Sequence, residues 1–93
     1  MNKIKSRLHP KAKRFFRQTK KAHDLDQDQL DQLHHICEAY SRYRIELCFL
    51  RISQGFTPAW DEVKTAVVDS WREVYRFCRA LGVDLPERPE KIR

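Results

Sequence analysis

The stretch from Asp26 to Gln54 constrains this chain more than any other. It opens on Asp26-x-x-Gln29, a capping signal in which side-chain oxygens satisfy the free N–H groups of a first helical turn. It closes at Gly55, the residue best suited to the left-handed conformation after a last turn. Between them Leu30, Leu33, Cys37, Tyr40 and Leu47 recur at helical spacing, with Ile36, Tyr43 and Leu50 beside them. Towards the end, Ile45, Leu47, Cys48, Phe49, Leu50 and Ile52 carry apolar character almost all the way round. A helix apolar on most sides needs more than one neighbour. At about 28 residues and 1.5 Å per residue it is roughly 42 Å long, and it reads as the central element.

Its first partner is legible downstream. Thr57 and Pro58 open a third helix, with Asp61 and Glu62 near its positive end. Trp60, Val63, Val67, Trp71, Val74, Cys78 and Leu81 follow at steps of three and four, a close helix-pairing seam. Gly82 ends it, and Pro86 and Pro89 prevent its resumption. The short turn around Gly55 admits only antiparallel neighbours. Upstream, Pro10 starts a short helix to Ala22. Ala12, Phe15, Phe16, Thr19 and Ala22 share one side of it, and Lys11, Lys13, Arg14, Arg17, Lys20 and Lys21 cover the other.

The expected fold is therefore all-α: an antiparallel hairpin of two long helices with a short basic helix beside it. The reading divides the chain into a mobile basic arm (1–9), one helical domain (10–82, helices near 10–22, 27–54 and 58–81) and an extended tail (83–93). Leu33, Cys37, Tyr40, Tyr43, Leu47, Trp71 and Val74 are assigned to the core or an oligomer interface. Phe49 and Tyr75 join them as apolar surface that one hairpin cannot cover, which predicts a homo-oligomer.

Charge is unevenly distributed. Nine of the nineteen Lys and Arg, and none of the thirteen Asp and Glu, lie in residues 1–23. The head therefore carries +9 and the remaining seventy residues −3. A basic head on a mildly acidic body points to a polyanion, and the partner expected is double-stranded DNA. Lys and Arg would contact its backbone. Gln18 alone does not supply the set of side chains that reads bases, so strong sequence recognition is not expected.

Other chemistries find little support. The two Gly leave almost no material for a phosphate-cradling loop, and no nucleophile–base signature stands out, so no enzyme and no cofactor are expected. His34 and Cys37 share a helical face, but no second ligand pair completes a metal site. Asp24, Asp26, Asp28 and Asp31 lack the Gly and terminal Glu of a calcium loop and suit the helix dipole instead. Cys37, Cys48 and Cys78, without CxxC spacing, read as packed, reduced thiols. No run approaches the length of a membrane span, so no membrane partner and a cytoplasmic location are expected.

Two motifs carry a resemblance. Leu30-Asp-Gln-Leu33 followed by Ile36-Cys37-Glu-Ala39-Tyr40-Ser-Arg42-Tyr43 resembles the first long helix of the small terminase subunits of tailed phages, in the branch whose pattern is Leu-x-x-Leu-x-x-(Tyr)-Cys-x-Ala-Tyr-x-Arg-Tyr. Leu81-Gly82-Val83-Asp84-Leu85-Pro86-x-Arg88 is similar to that family's closing Leu-Gly-Leu-x-Pro-x-x-Arg. Thr57-Pro58-Ala59-Trp60 stands where the family often has Asn/His-Pro-Ala after a longer link. The resemblance spans roughly residues 25–88. It implies a non-enzymatic packaging factor in the cytoplasm of a bacterial host. Such a factor forms an oligomer such as a ring, engages DNA for packaging, and recruits a large ATPase–nuclease subunit, here through the tail from Asp84. The alternatives are a small basic helical DNA-binding regulator and a protein-interaction module.

Overall fold

A computed structural model describes residues 8–53 and 60–87. The fold is all-α, with α1 at Pro10–Ala22, α2 at Gln27–Ser53 and α3 at Trp60–Leu81. α1 and α3 each lie along α2 and do not approach one another. The cross-contacts run in opposite senses in both pairs. Phe16 meets His34 and Phe15 meets Tyr40 on one side, while Tyr43 meets Trp71 and Arg42 meets Glu73 on the other. The two long helices are thus antiparallel neighbours, and α1 runs antiparallel to α2.

The two apolar rows of α2 explain its central position. Ile36, Tyr43 and Leu50 are buried together with Leu33, Cys37, Tyr40 and Leu47, so most of its circumference needs cover. α3 supplies Val67, Val74 and Cys78 as buried residues, with Trp60, Val63, Trp71 and Leu81 partly buried around them. α1 supplies Ala12, Phe15 and Thr19, with Phe16 at the edge, while Ala22 of its expected apolar side is exposed.

Local signals set the helix ends. At the start of α2, Asp26 Oδ1 accepts from Gln29 N at 2.9 Å and Asp26 N donates to Gln29 Oε1 at 2.9 Å, a reciprocal capping box. Losing such a cap costs about 1 kcal/mol. At the end of α3, Gly82 takes φ +82°, and its N–H and that of Val83 both donate to the Cys78 carbonyl. Gly55 and the expected Thr57–Pro58 start of the third helix lie outside the described residues.

The chain ends depart from expectation. His9, read as part of a mobile arm, is the N-cap of α1. Its Nδ1 accepts from Lys11 N at 3.1 Å, and its own N–H donates to the buried Ser41 hydroxyl at 2.9 Å. Residues 1–7 lie outside the described residues. The tail likewise belongs to the body as far as Glu87. It has no regular secondary structure, yet it turns back so that Glu87 accepts from Tyr40 Oη at 2.7 Å and from Arg44 Nη1 at 2.8 and 3.0 Å. The reason is electrostatic: Arg44 is a cation on a mostly buried row of α2, and it needs a counter-charge.

His9 gives this region a pH dependence. Burial first, then Arg44 and Lys11, hold its pKa below 6.5, with Glu87 opposing. For a base with a lowered folded-state pKa, the unfolded chain takes the proton more readily. This contribution to stability is therefore full above pH 6.5 and falls as the pH drops from there towards the folded-state value. His9→Asn keeps a capping oxygen and does not titrate, so it is expected to remove this part of the acid loss. Urea unfolding of both proteins at about pH 5 and about pH 7.5 checks it, and equal pH dependence would refute it.

Candidate nucleic-acid interface

α1 is positioned by the side it buries. Phe15 sits edge-on to Tyr40 with ring centroids 6.3 Å apart, Phe16 is edge-on to His34 at 6.5 Å, and the Cys37 thiol donates to the Ala12 carbonyl at 3.5 Å. With that side docked, the rotation of the helix is set and its opposite side must face solvent. Lys11, Lys13, Arg14, Arg17, Lys20 and Lys21 are all exposed there. Among the described residues none of the six forms an ion pair with a carboxylate. Arg14, Arg17, Gln18, Lys20 and Lys21 border one open groove along the helix.

The dimensions limit what this face can touch. From Lys11 to Lys21 the helix rises about 15 Å at 1.5 Å per residue. At about 3.4 Å per phosphate along one strand, that is about four phosphates. The structure thus brings the six predicted contact residues together on one surface. Gln18 borders the same groove as the one side-chain amide there, and a single amide does not make a base-reading set.

The expected core or interface residues divide into two groups. Leu33, Cys37, Tyr40, Tyr43, Leu47 and Val74 are buried, and Trp71 is partly buried. Tyr43 stacks on Tyr40 at 6.2 Å and meets Trp71 at 5.0 Å, so these aromatics form the core rather than a base-stacking surface. Phe49 and Tyr75 are 58% and 45% exposed. Phe49 belongs to a row, Ile45, Cys48, Phe49 and Ile52, that lies open on the distal part of α2. The cause is length: α1 has 13 residues and α2 has 27, and the α1 cap already sits at Ser41. Cys48 is therefore an exposed thiol, not the packed one expected from sequence.

The buried thiols are unsuited to catalysis. Burial, then Cys78 and Glu38, push Cys37 up to about 12. Burial, then Asp84, push Cys78 up to about 11. Both stay protonated near neutrality, when only a thiolate attacks. Burial and its bond to Glu87 likewise push the Tyr40 hydroxyl well above its ordinary value, leaving it a donor. Among the described residues, no three His, Cys, Asp or Glu side chains gather as a metal site, and no helix is long and apolar enough to cross a membrane.

Sequence reasoning missed two features. One is the Tyr40–Arg44–Glu87 cluster, whose only trace in the sequence is a cation at i+4 from Tyr40 amid apolar residues. The other is Arg72, Arg76 and Arg79 on the outside of α3, visible as steps of four and three out of phase with the apolar seam. No family model matches the chain, and neither a curated protein nor a solved structure matches it significantly.

Proposed function

We propose that this chain is a non-enzymatic, DNA-binding and self-associating adaptor of the kind its two motifs resemble, a phage terminase small subunit. α1 holds the phosphate backbone of double-stranded DNA. The observation that carries this reading is the orientation of α1: one side is fastened to α2, and six cations with no carboxylate partner among the described residues are left on the other. Copies of the chain gather through the open row Ile45, Cys48, Phe49 and Ile52, an apolar surface that neither α1 nor α3 covers. Several copies then act on one duplex, which multiplies weak backbone contacts. In this reading a large ATPase–nuclease partner meets the segment from Asp84, where Asp84 and Leu85 are exposed.

The test is a salt titration of duplex binding by wild type and by a variant with Lys11, Lys13, Arg14, Arg17, Lys20 and Lys21 all changed to Gln. About four phosphates under α1 predict that this face contributes about −3.6 to the slope of log K against log salt. Affinity should then fall on the order of 100-fold between 50 and 200 mM salt. The variant is expected to lose most of that slope, and a variant that binds as wild type does removes α1 as the DNA surface. Light scattering tests the second half: a particle with the mass of one chain at micromolar concentration contradicts self-association.

A further inference from the structure

α3 carries a second cationic surface that the reading of α1 does not use. Arg72, Arg76 and Arg79 recur at i, i+4 and i+7 and are all exposed, on the side of the helix opposite the buried Val67, Val74 and Cys78. With Tyr75 they line an open groove. The Arg79 guanidinium lies 5.7 Å from the Tyr75 ring centroid, and its Nη1 donates to the Tyr75 hydroxyl at 3.3 Å, so one fork is already oriented. Among the described residues none of the three arginines has a carboxylate partner. The nearest acid in sequence, Glu73, pairs with Arg42 of α2 instead, at 3.4 Å.

Two ordinary explanations account for part of this. A cation in the last turn suits the negative end of a helix dipole, and that covers Arg79. Arg72 lies more than two turns before the end of α3, beyond the reach of that effect. Intrahelical ion pairing would need acids three or four residues away: Asp69 stands three before Arg72 but forms no ion pair with it, and Glu73, three before Arg76, is taken by Arg42. What remains is three guanidiniums within two turns, without an ion-pair partner among the described residues. Planar, doubly donating groups of this kind match phosphate and carboxylate oxygens alike, and three of them in a row at helical spacing suit the repeating charge of a phosphate backbone.

We propose that the Arg72–Arg76–Arg79 face of α3 is a second phosphate-binding surface for nucleic acid, and that one protomer thereby joins two nucleic-acid segments across its own width. The geometry suits two segments better than one continuous track. His9, at the start of α1, meets Ser41, and Trp71 of α3 meets Tyr43. At 3.6 residues per turn, Tyr40, Cys37 and Ser41, which α1 meets, lie about 60°, 120° and 160° round α2 from Tyr43. α1 and α3 thus flank α2 on adjoining sides, each with its cations outward and the two cationic faces turned apart, in a body whose extents are 45 × 31 × 17 Å. The α3 contact stands by itself; the bridging rests on the reading of α1 given above.

The test uses the full chain and two DNA readouts. In the first, salt titration is repeated with the six α1 cations neutralised, so that only α3 contributes. The remaining slope is expected to be about −3 and to fall to near zero when Arg72→Gln, Arg76→Gln and Arg79→Gln are added. In the second, a bead-bound duplex coated with protein captures a free labelled duplex. With α1 intact, the triple Gln variant is expected to bind the bead duplex and lose capture by about tenfold or more. A triple Lys variant, which keeps charge and loses the fork, restores it in part. All positions are exposed, and a thermal melt matching wild type shows that each variant folds. Capture by the triple Gln variant equal to wild type would overturn the proposal, since self-association through α2 would then be the bridge. A binding defect in the triple variant with none in the α1 variant would instead overturn the α1 reading and leave the α3 surface standing. Binding to anionic lipid vesicles in place of either duplex would overturn the assignment to nucleic acid.

Discussion

Tyr43→Ala is expected to cost about 3–5 kcal/mol, the range for removing a large aromatic side chain from a packed core. Tyr43 is 1% exposed and sits between the Tyr40 ring at 6.2 Å and the Trp71 ring at 5.0 Å. It is the aromatic through which the α1-side cluster of Phe15 and Tyr40 connects to the α3 seam. No neighbour is free to collapse into the space, because α2 is held on both sides. Small domains have only about 5–15 kcal/mol of stability in total, so the variant should lie at the edge of folding. At about 4–8 °C per kcal/mol for a domain of this size, its melting temperature should fall by some 12–40 °C. Tyr43→Phe keeps the rings in contact and is expected to stay much closer to wild type. A Tyr43→Ala protein that melts beside wild type would mean that the aromatic cluster does not join the helices.

Glu87→Ala is expected to cost about 2–3 kcal/mol. Breaking a buried ion pair costs about 3–5 kcal/mol, because one charge is left buried alone. The Arg44 and Glu87 side chains keep 15% and 21% of their exposure, so water relieves part of that penalty. The same change removes the acceptor of the Tyr40 hydroxyl and frees the segment after Gly82 from α2. Arg44 enters at a disadvantage, since its Nε is buried with no partner among the described residues. Arg44→Met combined with Glu87→Ala should therefore recover part of the loss, as an apolar replacement often does. Thermal melts of the four proteins form a double-mutant cycle. Independent, additive losses would show that the pair is not coupled, and Glu87→Ala within about 2 °C of wild type would show that the tail is not fastened there.

Both predictions turn on contacts of different legibility. Tyr43 was visible in the sequence as a core residue because it falls on a helical row with Ile36 and Leu50, seven positions either side. The Glu87 clamp was not, because its partners are 43 and 47 residues away and no periodicity links them. The same division runs through the candidate interface. Six cations alternating with Ala12, Phe15 and Thr19 announce a two-sided helix, and burial of those three residues turns the cations outward. The open row on distal α2 depends instead on where α1 stops. Spacing alone does not tell a face covered by another helix from one left bare.

Local patterns by themselves determined the three helices, the capping box at Asp26, the glycine stop at Gly82 and the basic side of α1. Each is decided by residues within a turn or two of one another, where backbone hydrogen bonding and side-chain period act directly. Tertiary structure alone decided that α2 separates α1 from α3, that His9 and Glu87 belong to the body, and that two arginine-bearing faces look outward on different sides. Those outcomes depend on which buried surfaces meet and on which charges then lack water, quantities that exist only once the helices have docked.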